Sequence, residues 1–332
     1  MSEQVIEQLA PQLYKIEVPL PGSPLKATNS YVIKTPGRNL IIDTGMNRQE
    51  CQTVMEQALK QIAIDLEQTD LFITHLHADH LGLVEHLSRP GSRIYFNRPD
   101  AAIVEISNFW EKLLGRARRF GFPEHELKRA IREHPGNKFS PQKQVPFQFI
   151  EDGEIITAGE YHLECVQTPG HTSGHTCLFD RKRKLFFSGD HILGDITPNI
   201  SSWSEEDNPL EQYLQSLGRV LHMKIDQVLP GHRSIIFDCP GRIQELIQHH
   251  QQRAEEIAGI LKDGEQTAFD VASKMSWDYV SDSWETFPIN QKWFATGEAI
   301  AHLVYLEKKG LITKELQQER QIGEIVTWKH KN

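Results

Sequence analysis

At 332 residues with 39% hydrophobic side chains, the chain can fill one sizeable core and leave material for a smaller second domain. A formal charge of −9 speaks against a protein that coats nucleic acid, and no apolar run reaches the roughly 18 residues of a membrane span. Met1-Ser2-Glu3-Gln4 lacks the basic-then-apolar opening of a signal peptide, and Cys51, Cys165, Cys177 and Cys239 form no Cys-x-x-Cys pair, so a reduced, cytoplasmic setting is expected.

Alternating apolar residues predict strands over 13–18, 30–34 and 39–43, joined by Gly/Pro turns. The connector 19–26, Pro-Leu-Pro-Gly-Ser-Pro-Leu-Lys, reads either as a flap or as a rigid link. Cys51, Val54, Met55, Ala58 and Ile62 recur at helical spacing, which predicts a helix over 49–62; Leu71-Phe72-Ile73-Thr74 then predicts a strand running into His75. Over 101–144, Phe109, Leu113, Ala117 and Phe120 trace one helical face and Lys112, Arg116 and Arg119 another, so an inserted helical pair is expected. Between positions 108 and 143, nine Lys/Arg stand against four Glu, a net of +5. Such a stretch is either a solvated surface that pairs with acidic patches elsewhere, or an overhang that steers an anionic substrate through Arg116 and Arg119.

Three later apolar runs end in Thr168-Pro169-Gly170-His171, Gly189-Asp190 and Pro230-Gly231-His232. A long helix then begins at Pro240, carries Ile243, Leu246, Ala254, Ile257 and Leu261 on one face, and stops at Gly264. A short helix near 267–275, a longer one near 290–309 and a β wing from 310–313 and 325–328 complete the chain, giving domains over 1–240 and 241–332.

The chemistry concentrates in Thr74-His75-Leu76-His77-Ala78-Asp79-His80, three imidazoles and a carboxylate in one turn-sized stretch. Imidazole and carboxylate suit zinc, iron or manganese, and a catalytic site leaves one position open for water. His171, Asp190 and His232 each stand where a strand ends and a turn begins, so one sheet edge can aim them all into a common cleft. A divalent ion lowers the pKa of a water bound to it toward about 7, which makes hydrolysis possible without a Ser or Cys nucleophile. Ser173 and Ser188 therefore read as turn formers.

This set, in this order, resembles the metallo-β-lactamase superfamily over roughly the first 240 residues. The resemblance implies an α/β (α+β) fold, a four-layer αββα sandwich, with the helical insertion and a small C-terminal domain similar to a winged helix. It implies two divalent metal ions, zinc foremost with iron or manganese as alternatives: His75, His77 and His171 on one, Asp79, His80 and His232 on the other, Asp190 bridging. Asp79 and Asp190 are the expected catalytic carboxylates, Asp79 orienting the bridging hydroxide and Asp190 moderating repulsion between the ions. Asp43, in Ile41-Ile42-Asp43-Thr44-Gly45, is expected either beside the ligands, fixing a histidine tautomer through its ring N–H, or as a simple turn carboxylate. His175 and His191 adjoin the ligand motifs without assignment to metal; His191, with Arg116 and Arg119, is a candidate substrate contact.

Members of this superfamily hydrolyse thioesters, lactones, β-lactams and phosphodiesters, and some oxidise sulfur or reduce oxygen. His77 speaks against the flavodiiron branch, and the sequence after Asp190 departs from the Gly/Arg-rich pattern of glyoxalase II, which speaks against glutathione conjugates. The layout stands nearest to glyoxalase-II-like and lactamase-beta-2-like hydrolases. The expected reaction is hydrolysis of an acyl bond, thioester or lactone, in a small anionic molecule; phosphodiester or RNA cleavage and mononuclear-iron sulfur dioxygenation are the alternatives. From Arg242 onward eleven Lys/Arg stand against fourteen Asp/Glu, and the candidate recognition helix has no arginine. The tail is therefore expected to pack on the hydrolase, shape its cleft or support a homodimer rather than bind nucleic acid.

Overall fold

Tyr31 and Ile33 face one hydrophobic core while Val32 between them faces another, the two-residue period of a strand buried on both sides. The computed structural model describes residues 5–106, 108–141, 143, 145–278, 281, 283–319 and 323–331. Gln144, the far bound of the expected insertion, and the first four residues lie outside this set.

The first compact unit comprises Met1–Ile106, Phe139–Pro198 and Ser216–Ile243. Strands β1 (Ile6–Ala10), β2 (Leu13–Pro19), β3 (Ala27–Ile33), β4 (Asn39–Ile42), β5 (Thr69–Phe72), β6 (Ile94–Phe96) and β7 (Phe147–Phe149) form one sheet in sequence order. Neighbours are antiparallel as far as β4 and parallel from there on. A second sheet holds β8 (Ile155–Ala158), β9 (Tyr161–Gln167), β10 (Thr176–Asp180), β11 (Leu185–Gly189) and β12 (Gln227–Pro230), antiparallel except for β11 with β12.

The sheets share a core in which Tyr31, Ile42 and Phe72 of the first meet Leu163, Leu178, Phe187 and Leu229 of the second. The Tyr31 and Phe187 rings meet edge to face with centroids 5.4 Å apart. On the outer face of the first sheet, Val32, Ile41 and Leu71 pack with Cys51, Met55, Ala58 and Leu59 from the helix Gln49–Gln61. Burying each such large aliphatic side chain is worth about 1.5–3 kcal/mol, so the helix is held by its apolar stripe. Against the second sheet, the latter part of the helix Pro209–Leu221 is tied down by Ser216 Oγ donating to Pro169 O at 2.8 Å and by Arg219 on Asp152. The result is the αββα sandwich.

One strand differs from the sequence reading. β3 starts at Ala27 because its ladder with β2 runs from Leu13↔Ile33 to Pro19↔Ala27, through Thr28, Asn29 and Ser30, which are polar yet buried. Two of them break the apolar pattern because they hold loops at the sheet edge: Asn29 Nδ2 donates to Pro230 O and Arg233 O, both at 2.9 Å, and Ser30 Oγ to Asp43 O at 2.7 Å, while the neighbouring Tyr31 Oη donates to Pro230 O at 2.7 Å. The 19–26 connector is closed on itself, Leu20 N–H donating to Lys26 O at 2.7 Å, and Arg233 donates to Pro24 O.

The second unit gathers Ser107–Lys138, Asn199–Gln215 and Gln244–Asn332. The division is thus not into consecutive halves: the helices Phe109–Arg119 and Glu124–Glu133 cluster with C-terminal segments. Their apolar faces, Leu113, Ala117, Leu127 and Ala130, share a core with Ile289 and Trp293 of the helix Ile289–Lys308, and Trp203 stacks on Trp293 at 4.1 Å. The helix Ala268–Lys274 starts at a capping box of Thr267 and Asp270. A two-stranded antiparallel hairpin, β13 (Ile312–Glu319) with β14 (Gly323–His330), completes the unit. Among the described residues, no helix is long and apolar enough to cross a membrane.

Candidate metal centre

Asp43 follows β4 directly, with a φ of 59° that is unusual for a residue bearing a side chain. Its backbone is held by Asp43 N–H on Phe72 O at 2.9 Å and by Ser30 Oγ donating to Asp43 O at 2.7 Å. The carboxylate so placed accepts Thr74 N–H at 2.9 Å, the Thr74 hydroxyl at 2.9 Å and His80 Nδ1 at 2.7 Å. An ionised carboxylate only accepts, so His80 carries a proton on Nδ1 and turns Nε2 away from Asp43. The Thr74 oxygen, its proton given to Asp43, faces His75 Nδ1 at 2.9 Å and fixes that ring in the same sense.

Downstream of β5 the chain enters the short helix Ala78–Leu81, and three ring nitrogens converge where it begins. His75 Nε2 and His171 Nε2 each lie 3.0 Å from His77 Nδ1. A second group forms beside it: His232 Nε2 stands 3.3 Å and His80 Nε2 3.7 Å from Asp79 Oδ2. His232 is oriented by donating from Nδ1 to Ala27 O at 2.7 Å. Asp190, at the end of β11, reaches both groups, with oxygens 3.6 Å from His171 Nε2, 3.5 Å from His80 Nε2 and 3.4 Å from His232 Nε2. Its own N–H donates to His175 Nε2 at 3.1 Å, and His175 Nδ1 meets Thr168 Oγ1 at 2.8 Å. Gly231 makes the approach possible, since a Cβ there would stand 2.5 Å from Asp190 Oδ1 and 2.8 Å from His80 Cε1.

The electrostatics divide along the same lines. Burial pushes His75 well below its ordinary pKa, helped by His80 and His77, and burial with His171 takes His77 to about 3. For His232 burial acts in the same direction but is outweighed by Asp190 and Asp79, so the ring rises to about 10; His80 is likewise raised by Asp43, Asp190 and Asp79. Burial would raise the two carboxylates, yet His80 and His232 hold Asp79 at about 2 and Asp190 well below its usual range. The site is a nest of acceptors that demands positive charge.

A metal fits this demand. His80 Nε2, His232 Nε2 and Asp190 Oδ1 are buried and complete no hydrogen bond among the described residues, a costly state for lone pairs unless a cation takes them. Three groups have donor atoms all within 4.8 Å of one another: His75, His77 and His171; His75, His80 and Asp190; Asp79, His80 and His232. Nitrogen and carboxylate oxygen together suit zinc, iron and manganese.

All seven expected ligands and Asp43 thus come together within the first unit. His191 is wholly buried, with no surface to offer a substrate. Arg116 and Arg119 belong to the second unit, where with Phe120, Trp203, Glu205 and Lys314 they line a recess of about 430 Å³. Arg119 pairs there with Glu205 at 2.9 Å and with Glu324.

Sequence reasoning missed Asp100, wholly buried, which accepts hydrogen bonds from Leu76 N–H, Thr172 Oγ1 and Gly174 N–H. Burial pushes its carboxyl up to about 6 against the pull of those three bonds. The signal available in Asn97-Arg98-Pro99-Asp100 is that of a helix start, Asn97 Oδ1 capping Asp100 N–H at 2.9 Å, and says nothing of distant loops.

The molecule is therefore an αββα sandwich with, on its sheet edge, a His/Asp cluster suited to metal. Residues 24–232 match the metallo-beta-lactamase superfamily, and the chain belongs to it. It is 27% identical over 282 residues to the beta-lactamase-like protein 2 homolog of Caenorhabditis elegans, covering 84% of this chain and 80% of that one. It is 26% identical over 254 residues to an atrochrysone carboxyl ACP thioesterase of Aspergillus fumigatus, 76% of this chain and 65% of that protein's length. A metallo-beta-lactamase family protein from Thermus thermophilus superposes with a TM-score of 0.81 at 26% identity, over 98% of this chain and 100% of that one.

Proposed function

We propose that the chain is a dinuclear-metal hydrolase of acyl bonds, with thioesters the first class of substrate. The observation that carries this reading is Asp190, whose two oxygens face His80, His171 and His232 and so stand between two groups of ligands. His75, His77 and His171 would hold one ion, Asp79, His80 and His232 the other, with Asp190 shared. Bound there, such ions supply Lewis acidity toward a carbonyl oxygen and activate water at neutral pH.

The chain's own residues shape the rest. Asp79, buried and kept ionised, is the acceptor that can orient a water proton and return it to the leaving group. Asp43 and Ala27 O each take the Nδ1 proton of His80 and His232, so that Nε2 is the atom turned to the cleft and the one an ion would take in place of a proton. The thiols offer no competing nucleophile: burial raises Cys51 and pushes Cys165 and Cys239 up to about 12, and raises Cys177 as well. Ser188 Oγ is engaged, donating to Ile192 O at 2.8 Å.

Superfamily membership supports hydrolysis, and the thioesterase names among relatives favour a thioester over a lactone or phosphodiester. The test is release of free thiol from a panel of acyl thioesters, run beside lactones and RNA, with zinc-loaded and chelator-treated protein. Zinc-dependent thiol release is expected; zinc-dependent RNA cleavage without thioester turnover would overturn the acyl assignment.

A further inference from the structure

We propose that Asp100 is a positioning residue that clamps together the two loops bearing His75, His77 and His171, and thereby sets the affinity of that three-histidine group for its ion. The inference rests on the metal-site reading above. Asp100 Oδ2 accepts Leu76 N–H at 2.9 Å and Thr172 Oγ1 at 2.7 Å, and Oδ1 accepts Gly174 N–H at 2.7 Å. Leu76 lies between His75 and His77, on the loop that leaves the first sheet. Thr172 follows His171, on the loop joining β9 to β10 of the second sheet. One buried carboxylate therefore spans the sandwich at its edge, with three charge-assisted bonds to main chain and hydroxyl.

The clamp is itself fixed. Asn97 Oδ1 caps Asp100 N–H at the start of the helix Arg98–Val104, and that helix start is seated hard against the His171 loop. A Cβ on Gly174 would stand 1.6 Å from Asn97 Oδ1 and 2.8 Å from Asp100 N, so the loop can approach this closely only with glycine at that position. The other group is held by different means, His80 by Asp43 and His232 by Ala27 O. Loss of the clamp should therefore act on one group and spare the other.

The experiment is a zinc titration of metal-free protein against a chromophoric chelator, with thermal melting of the same metal-free samples. In Asp100→Ala and Asp100→Asn, one equivalent of zinc should bind about 10–100-fold more weakly while the second keeps its affinity, the usual scale for losing a group that orients ligands. Asparagine does not rescue, because its NH2 must face either Leu76 N–H or Gly174 N–H. Thr172→Val should weaken the same equivalent by a smaller factor and Thr172→Ser should behave as wild type, so the idea stays testable even if the Asp100 variants do not fold. Unchanged affinity of both equivalents in Thr172→Val and in any folded Asp100 variant, with only the melting point lowered, would reduce Asp100 to a structural strut. Equal weakening of both would also overturn the proposal. Wild-type protein that takes up no zinc would overturn the site reading itself, a result distinct from either.

Discussion

Asp43 Oδ2 lies 2.7 Å from His80 Nδ1, and the same carboxylate takes the hydroxyl proton of Thr74, whose oxygen faces His75 Nδ1. One charge thus sets two histidines, one in each ligand group. Asp43→Ala leaves His80 Nδ1–H and Thr74 without their buried acceptor, and the rings lose their fixed tautomer. Zinc affinity should fall by about 10–100-fold, now for both equivalents, as read by chelator competition. Wild-type affinity in that variant would contradict the role.

Gly174 tests how tightly the His171 loop is seated. With Asn97 Oδ1 only 1.6 Å from where a Cβ would stand, Gly174→Ala must displace the loop or the helix start. Overpacking of this kind costs about 1–3 kcal/mol, so the melting point should drop by several degrees and thioester turnover should fall with it. An alanine variant that melts and turns over like wild type would show the loop to be free to move.

Acid should destabilise the second unit through two imidazoles, His302 buried and His134 half-buried. Burial depresses both His134 and His302 from 6.5 to about 4. Because the folded pKa lies below the unfolded one, the unfolded chain binds more protons between these values. The stability is fully present above about pH 6.5 and is lost as pH falls toward 4, by roughly 3 kcal/mol per group at the limit. Denaturant unfolding across this window should show the decline, and His302→Gln should make it shallower; an unchanged slope would contradict the assignment.

Arg119 offers a choice between two readings of the basic helices. Its pairing with Glu205 and Glu324, at a side chain 38% exposed, points to a structural charge. Arg119→Ala should lower stability by about 1 kcal/mol or less and leave KM for a charged thioester unchanged. A raised KM with a flattened salt dependence would restore substrate steering.

The residues that gather at the candidate site were legible because they lie in local motifs at strand ends, where side-chain type and turn chemistry coincide. Asp43 was legible through its resemblance to a family motif, with a simple turn carboxylate as the other reading, and the structure sets it against His80 and Thr74. Asp100 was not, since its partners lie at 76, 172 and 174 and nothing in an Asn-x-x-Asp helix start encodes a contact across two sheets. The start of β3 escaped because Asn29 and Ser30 are buried for their hydrogen bonds, against the usual polar-outside rule. The helical pair showed its apolar face in sequence, but its packing partners, Ile289 and Trp293, lie far along the chain.

The most direct measurement is elemental analysis of purified protein alongside Asp190→Ala. Two divalent ions per chain are expected in the wild type, and one or fewer, with turnover lost, in the variant. Two tightly held ions and full turnover in Asp190→Ala would rule out a carboxylate shared between two ions.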